Sequence, residues 1–400
     1  MLNINDPKQQ QSALPLWQLA FRPFFLFGAL FSSLAILLWV LWLTGVLSFS
    51  PYADPVFWHS HEMLFGFVSV FIVGFLLTAV QNWTGVRATH GTPLILLFAL
   101  WLAGRLVFFW GHNVAGWLVA LIDLSFLPLA AVYFYLILQK AKHTRNLFFV
   151  PVLLLLTLAN LLFHLSVILQ QAELKMWGMN VTLMLVGLIM TIVAGRVMPM
   201  FTANGTGTAK VDAMPWLESL TIGSTILLVA LPVFRVELWL PPWLFAGVFM
   251  LASVSHAYRA LRWRPWITLK YPLLWSLHMA YWFIPSAFAL FAVQQLGEWV
   301  SRSMAVHALT AGAMGCMILA MICRVSLGHT GRTLRPAKGV KWILGLVILA
   351  ALIRVFGVLF DLNLLWVYVV AGSCWSLAYV GFVLIYGRML LSARVDGRPG

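Results

Sequence analysis

Charge is what this 400-residue chain most lacks: Asp, Glu, Lys and Arg together make up 9% of it, while 62% is hydrophobic. Soluble domains carry about a quarter charged residues and about half apolar ones, so an ordinary soluble protein is excluded. Cysteine is scarce as well. Cys316, Cys323 and Cys374 are too few for a disulfide framework, and Cys316 and Cys323 on one helix stand about 10 Å apart by helical rise, too far to bridge. All three are expected to be packing residues. No glycine-rich phosphate loop, nucleotide-binding fingerprint or Ser-His-Asp arrangement occurs, which argues against a pump driven by ATP hydrolysis within this chain. The polar opening Met1 to Pro15 has no short apolar core followed by a small-residue cleavage site, so the first apolar segment is expected to stay in the mature protein.

Long apolar runs, rich in Phe and Trp, are what the chain has instead. At roughly 20 apolar residues per crossing, it has room for about a dozen transmembrane helices. Breaks at Pro, Gly and charge place twelve spans near 24–47, 61–80, 93–110, 115–138, 147–169, 178–199, 216–234, 242–261, 272–294, 303–324, 340–360 and 364–387. The fold class is therefore all-α, a polytopic membrane protein forming one transmembrane domain over 1–400, with short polar tails at 1–20 and 389–400. The longest connection is expected between Phe201 and Pro215. No internal repeat or low-complexity linker stands out.

The net charge of +14 is then a statement about topology rather than about nucleic acid. Alternate loops collect Lys8 and Arg22, Arg87, Lys140 with Lys142 and Arg145, Lys210, the group Arg259 to Lys270, the group Arg324 to Lys341, and Arg388 to Arg398. Only Lys175, Arg235 and Arg302 fall on the other side. That bias predicts both termini in the cytoplasm.

Orientation gives each polar residue a depth. The second span runs inward and begins Trp58-His59-Ser60-His61-Glu62-Met63. The third puts Arg105 in its outer part, and the fourth puts Asp123 about two turns from its outer end, where the two can pair. His164 lies near the outer end of the fifth span, and His307 lies in the first turns of the tenth. Four His, one Glu and an Arg/Asp pair from five helices are thus expected at one depth in the outer leaflet. An ionisable group in hydrocarbon needs a partner or a task. Imidazoles with a carboxylate suit Cu, Zn or Fe, and His alone suits haem iron. His59 and His61 are about 200° apart on a regular helix, so both reach one ion only if His59 lies in a non-helical entry turn. His59 shares a face with Glu62 or Met63. Two sites are as natural as one. His59, His61, His164 and His307 are the candidate ligands, Glu62 a support or proton relay, and Arg105 with Asp123 either a structural ion pair or a support for the site.

A second polar group lies toward the cytoplasmic side: Arg196, His256, His278, Arg324, and His329 within Gly328-His329-Thr330-Gly331-Arg332. Arg196 is deep enough to hold a haem propionate or another anion, while Arg324, Arg332 and Arg335 are placed to meet lipid headgroups. Met314, Met317 and Met321 continue the His307 face, where packing is the simplest role for them.

In these residues the sequence resembles the NnrS family of bacterial inner-membrane proteins. The matching blocks are Phe21-Arg22-Pro23-Phe24-Phe25, Trp58 to Phe67, Gly74 to Gly85, Trp101 to Arg105, Asp123 to Pro128, Gly195 to Asn204, and His307 through Arg332. They run in order along nearly the whole chain. The resemblance implies a twelve-helix protein of the bacterial inner membrane containing haem, b-type, and copper, which helps cells withstand nitric oxide and often accompanies denitrification. Nitric oxide and the lipid bilayer are the implied partners, and haem/copper oxidoreductase activity is one form the function takes. The rival reading is a transporter of a metal ion or small solute that uses the His/Glu cluster as its ion site. A transporter predicts alternating access and often a repeated half. Buried polar groups serving only as helix-helix adhesive are a third reading.

Overall fold

The computed structural model describes residues 14–297, 299–360 and 363–397. The polar opening with Lys8, and Arg398 in the C-terminal tail, lie outside the described residues. Among the described residues there is no strand, and twelve helices are long and apolar enough to cross a membrane. They are α1 (Phe21–Leu43), α2 (Pro55–Thr84), α3 (Thr92–Asn113), α4 (Gly116–Lys140), α5 (Phe149–Ile168) and α6 (Ala172–Thr206). The remaining six are α7 (Pro215–Val233), α8 (Pro242–Arg262), α9 (Pro272–Leu296), α10 (Arg302–His329), α11 (Val340–Phe360) and α12 (Leu364–Leu391).

Local chemistry sets the ends. Proline sits at the start of α2, α3, α7, α8 and α9, where a missing N–H costs nothing. Asp54 caps α2, accepting from Val56 N and Phe57 N at 2.9 Å each, so that helix begins six residues before the predicted start of its span. Gly85, at φ +71°, ends it with its N–H on Gln81 O. The expected loop from Phe201 is corrected. Here α6 runs through Pro199 to Thr206, and the turn is made by Gly207 at φ +70°, whose N–H reaches Ala203 O at 2.9 Å. The tenth span likewise extends to His329.

The chain forms two compact units. The first takes Met1–Met179, Ile322–Arg335 and Tyr379–Gly400, and the second takes Asn180–Met321 and Pro336–Ala378. In the first, Arg22 is fully buried at the start of α1, and its Nη1 donates to Leu390 O at 2.8 Å and Ser392 O at 2.6 Å at the end of α12. In the second, Arg259 is paired with Glu218 and donates to Thr191 O at 3.1 Å. Tyr281 Oη stands 2.8 Å from His256 Nδ1, whose Nε2 stands 3.0 Å from Thr225 Oγ1. His278 Nε2 is 2.9 Å from Thr202 Oγ1. Cys316, Cys323 and Cys374 are free thiols, as their scarcity and spacing predict.

Two helices share a construction that sequence periodicity does not reveal. In α2 a regular turn ends at His61 and is followed by a π-helical stretch, Glu62–Val68. In α10 a regular turn ends at His307 and is followed by another, Ala308–Gly315. A π stretch widens the helix and shifts the carbonyls that receive its hydrogen bonds.

Candidate metal centre

In the first unit, five side chains picked out by depth meet: His61 and Glu62 of α2, Arg105 of α3, Asp123 of α4 and His164 of α5. Each is at most 6% exposed. Arg105 lies between the two carboxylates. Its Nη2 donates to Asp123 Oδ1, its Nε lies 2.9 Å from Glu62 Oε2, and its Nη1 donates to Phe65 O at 3.1 Å. His61 Nδ1 is 3.0 Å from Glu62 Oε1. His61 Nε2 and His164 Nε2 each stand 3.2 Å from Asp123 Oδ2.

Each neighbour has a local cause. In the π-helical stretch of α2, Phe65 O receives Arg105, and Gly66 O receives the indole N–H of Trp101 at 2.9 Å. A Cβ on Gly66 would stand 2.9 Å from Arg105 Nη1 and 3.0 Å from Glu62 Oε2, and one on Gly104 would stand 2.9 Å from Asp123 Oδ1. Both glycines therefore make room for the ion pair. In α4 the helix loosens at Ser125, because Pro128 has no N–H for the Leu124 carbonyl and crowds it. Asp123 lies just before that break. The walls are aromatic: His61 stacks on Phe108 at 4.0 Å and 14°, with Phe57, Phe65 and Phe163 around it.

Asn160 of α5 joins the cluster without having been singled out by sequence. It is 2% exposed; its Nδ2 donates to Asp123 Oδ2 at 2.6 Å, and its Oδ1 accepts from His61 Nε2 at 2.8 Å. The available signal was its place four residues before His164, on the same helix face.

The other candidates lie elsewhere. The helix is regular through His59, which removes the non-helical entry turn that a shared ion would need. The His59 ring stacks on Trp39 at 4.4 Å instead. His307 belongs to the second unit, where its Nδ1 stands 2.8 Å from Ser303 O. Arg196, also in the second unit, has an exposed side chain. His329, in the first, lies beside Phe21 at 5.5 Å, and its carbonyl accepts from Arg394 at 3.0 Å.

His61 faces an acceptor at each ring nitrogen, Glu62 Oε1 at Nδ1 and Asn160 Oδ1 with Asp123 Oδ2 at Nε2, so without a metal its imidazolium and the Arg105 guanidinium balance the two carboxylates, and a bound ion would take the place of the Nε2 proton. Donor atoms of His61, Asp123 and His164 all lie within 4.8 Å of one another. A first-row ion bound at about 2.0–2.2 Å sets neighbouring tetrahedral ligands about 3.3–3.6 Å apart, close to the two 3.2 Å separations found here. The three residues thus can hold a single metal ion. A haem does not fit between the two imidazoles. Their centroids are 5.5 Å apart at 68°, and the Asp123 carboxylate and Asn160 carboxamide fill the space a porphyrin plane would need.

Comparison with curated proteins returns no match. A family model described as NnrS protein matches residues 15–394, so the resemblance seen in the sequence blocks extends over almost the whole chain, which belongs to the NnrS family.

Proposed function

We propose that this protein is a copper- and haem-containing protein of the bacterial inner membrane that binds or acts on nitric oxide, protects against nitrosative stress and accompanies denitrification. Family membership supports the coarser part, a membrane protein tied to the nitric oxide response. The observation that carries the metal part is the sealed His61–Asp123–His164 group with its Arg105 and Glu62 supports.

On this reading His61, Asp123 and His164 hold copper. Glu62 accepts the Nδ1–H of His61 and so fixes the ring; when the Nε2 proton now shared with Asn160 Oδ1 is released, the remaining tautomer presents Nε2 to the ion, a common arrangement behind metal-bound imidazoles. Arg105 keeps both carboxylates ionised and aimed. Bound copper supplies a redox-active centre with affinity for small diatomic ligands. Nitric oxide is small and apolar, so it reaches the aromatic cage through lipid without a hydrophilic channel. With both termini in the cytoplasm, the cluster lies in the outer half of the membrane. The haem, b-type, is assigned outside this cluster, with His307 and His329, 22 residues apart along α10 and so too distant to share one iron, as alternative candidate ligands and Arg196 as a candidate partner for a propionate.

The test is metal analysis with a visible absorption spectrum of protein purified from haem-replete cells supplied with copper. The reading predicts copper and a haem Soret band that shifts on adding nitric oxide. Colourless, copper-free protein would refute it.

A further inference from the structure

Asn160 lies in a run of Leu, Ala and Phe in α5, where a carboxamide is costly unless both its ends are bonded. Both are, and both go to the cluster: Nδ2 to Asp123 Oδ2 and Oδ1 to His61 Nε2. His61, Asp123 and His164 supply three donor atoms, one fewer than a four-coordinate ion requires. The remaining carboxylate oxygens are committed elsewhere. Glu62 Oε1 faces His61 Nδ1, while Glu62 Oε2 and Asp123 Oδ1 face the Arg105 guanidinium. The amide oxygen of Asn160 has two lone pairs, and its one partner is the His61 Nε2–H at 2.8 Å, the proton that ion binding at Nε2 must release, which frees the oxygen beside the ion.

Resting on the copper reading above, we infer that Asn160 Oδ1 is the fourth ligand of the ion. The centre is then a shell of two imidazoles, one carboxylate and one carboxamide, closed to water, and an added small ligand enters it only by displacing the carboxamide. Asn160 thereby sets which molecules gain access to the metal.

The experiment loads the full-length protein with copper(II) and uses pulsed electron paramagnetic resonance in D2O to count bound imidazoles and exchangeable water. The wild type is expected to show two imidazoles and no coordinated water. Asn160→Ala is expected to bind copper about 10–100-fold more weakly, to gain a coordinated water, and to change its spectrum on adding azide at concentrations that leave the wild type unchanged. Asn160→Asp, which restores a ligand oxygen, is expected to keep the shell closed. Coordinated water in copper-loaded wild type overturns the inference whether or not the variants fold, and leaves the copper reading standing. Unchanged copper affinity in Asn160→Ala, with no water gained, also overturns it. Wild type that takes up no copper overturns the copper reading itself.

Discussion

Replacing Arg105 by Met keeps the side-chain volume and removes the one cation shared by Glu62 and Asp123. Breaking a buried ion pair on one side costs about 3–5 kcal/mol, and here two carboxylates lose their partner, so the upper end of that range applies. For a domain of about the size of the first unit, each kcal/mol moves Tm by about 2–4 °C, giving a fall of about 10–20 °C. The charge account adds a second expectation. Loss of the guanidinium leaves the cluster one positive charge short, which a bound ion supplies, so copper(II) should raise the Tm of Arg105→Met more than that of the wild type. The double variant Arg105→Met with Asp123→Asn removes one of the stranded charges and should regain at least half of the loss. Thermal unfolding in detergent, followed by circular dichroism with and without copper, measures all three proteins. A fall of less than about 2 °C for Arg105→Met, or no recovery in the double variant, would refute the claim that Arg105 balances the site.

Other expectations follow from the same geometry. Gly66→Ala and Gly104→Ala each drive a methyl group into the Arg105 network and should cost about 1–3 kcal/mol in thermal unfolding, whereas Gly247→Ala, with no neighbour within 4 Å, should be neutral or slightly stabilising. His59→Ala loses its stack on Trp39, worth about 0.5–1.5 kcal/mol, and should retain copper in full by mass spectrometry. His61→Ala should lose it, and equal copper in the two variants would contradict the assignment. A phosphatase fused after Gly400 should stay inactive in cells while a fluorescent protein fused there lights up, since the bias of positive loops predicts that end in the cytoplasm; the reverse pattern would invert the topology.

The spans were legible because hydrocarbon demands long apolar runs and proline and glycine punctuate them; all twelve occur near their predicted places. Their ends were less so, since caps such as Asp54 and the continuation of α6 through Pro199 depend on individual hydrogen bonds rather than on composition. Much of the cluster was legible for the same reason that it is rare. Glu62, Arg105 and Asp123 are expensive in lipid, so depth alone brought them together. Asn160 carries no charge and gave no such signal. The 200° between His59 and His61 already implied that a regular helix would separate them, and it does: His61 turns to Asp123 while His59 turns to Trp39. The π-helical stretches had no signature, because a shift in hydrogen-bond register leaves the apolar pattern almost unchanged.

Copper content per chain in wild type and in Asp123→Leu, a variant that removes the carboxylate shared by both imidazoles while leaving the aromatic cage in place, tests the metal centre most directly. One copper per wild-type chain, absent from folded Asp123→Leu, is the predicted result. Equal copper in both proteins would show that the metal is held elsewhere, and the His61–Asp123–His164 group would then be no more than a buried ion-pair network.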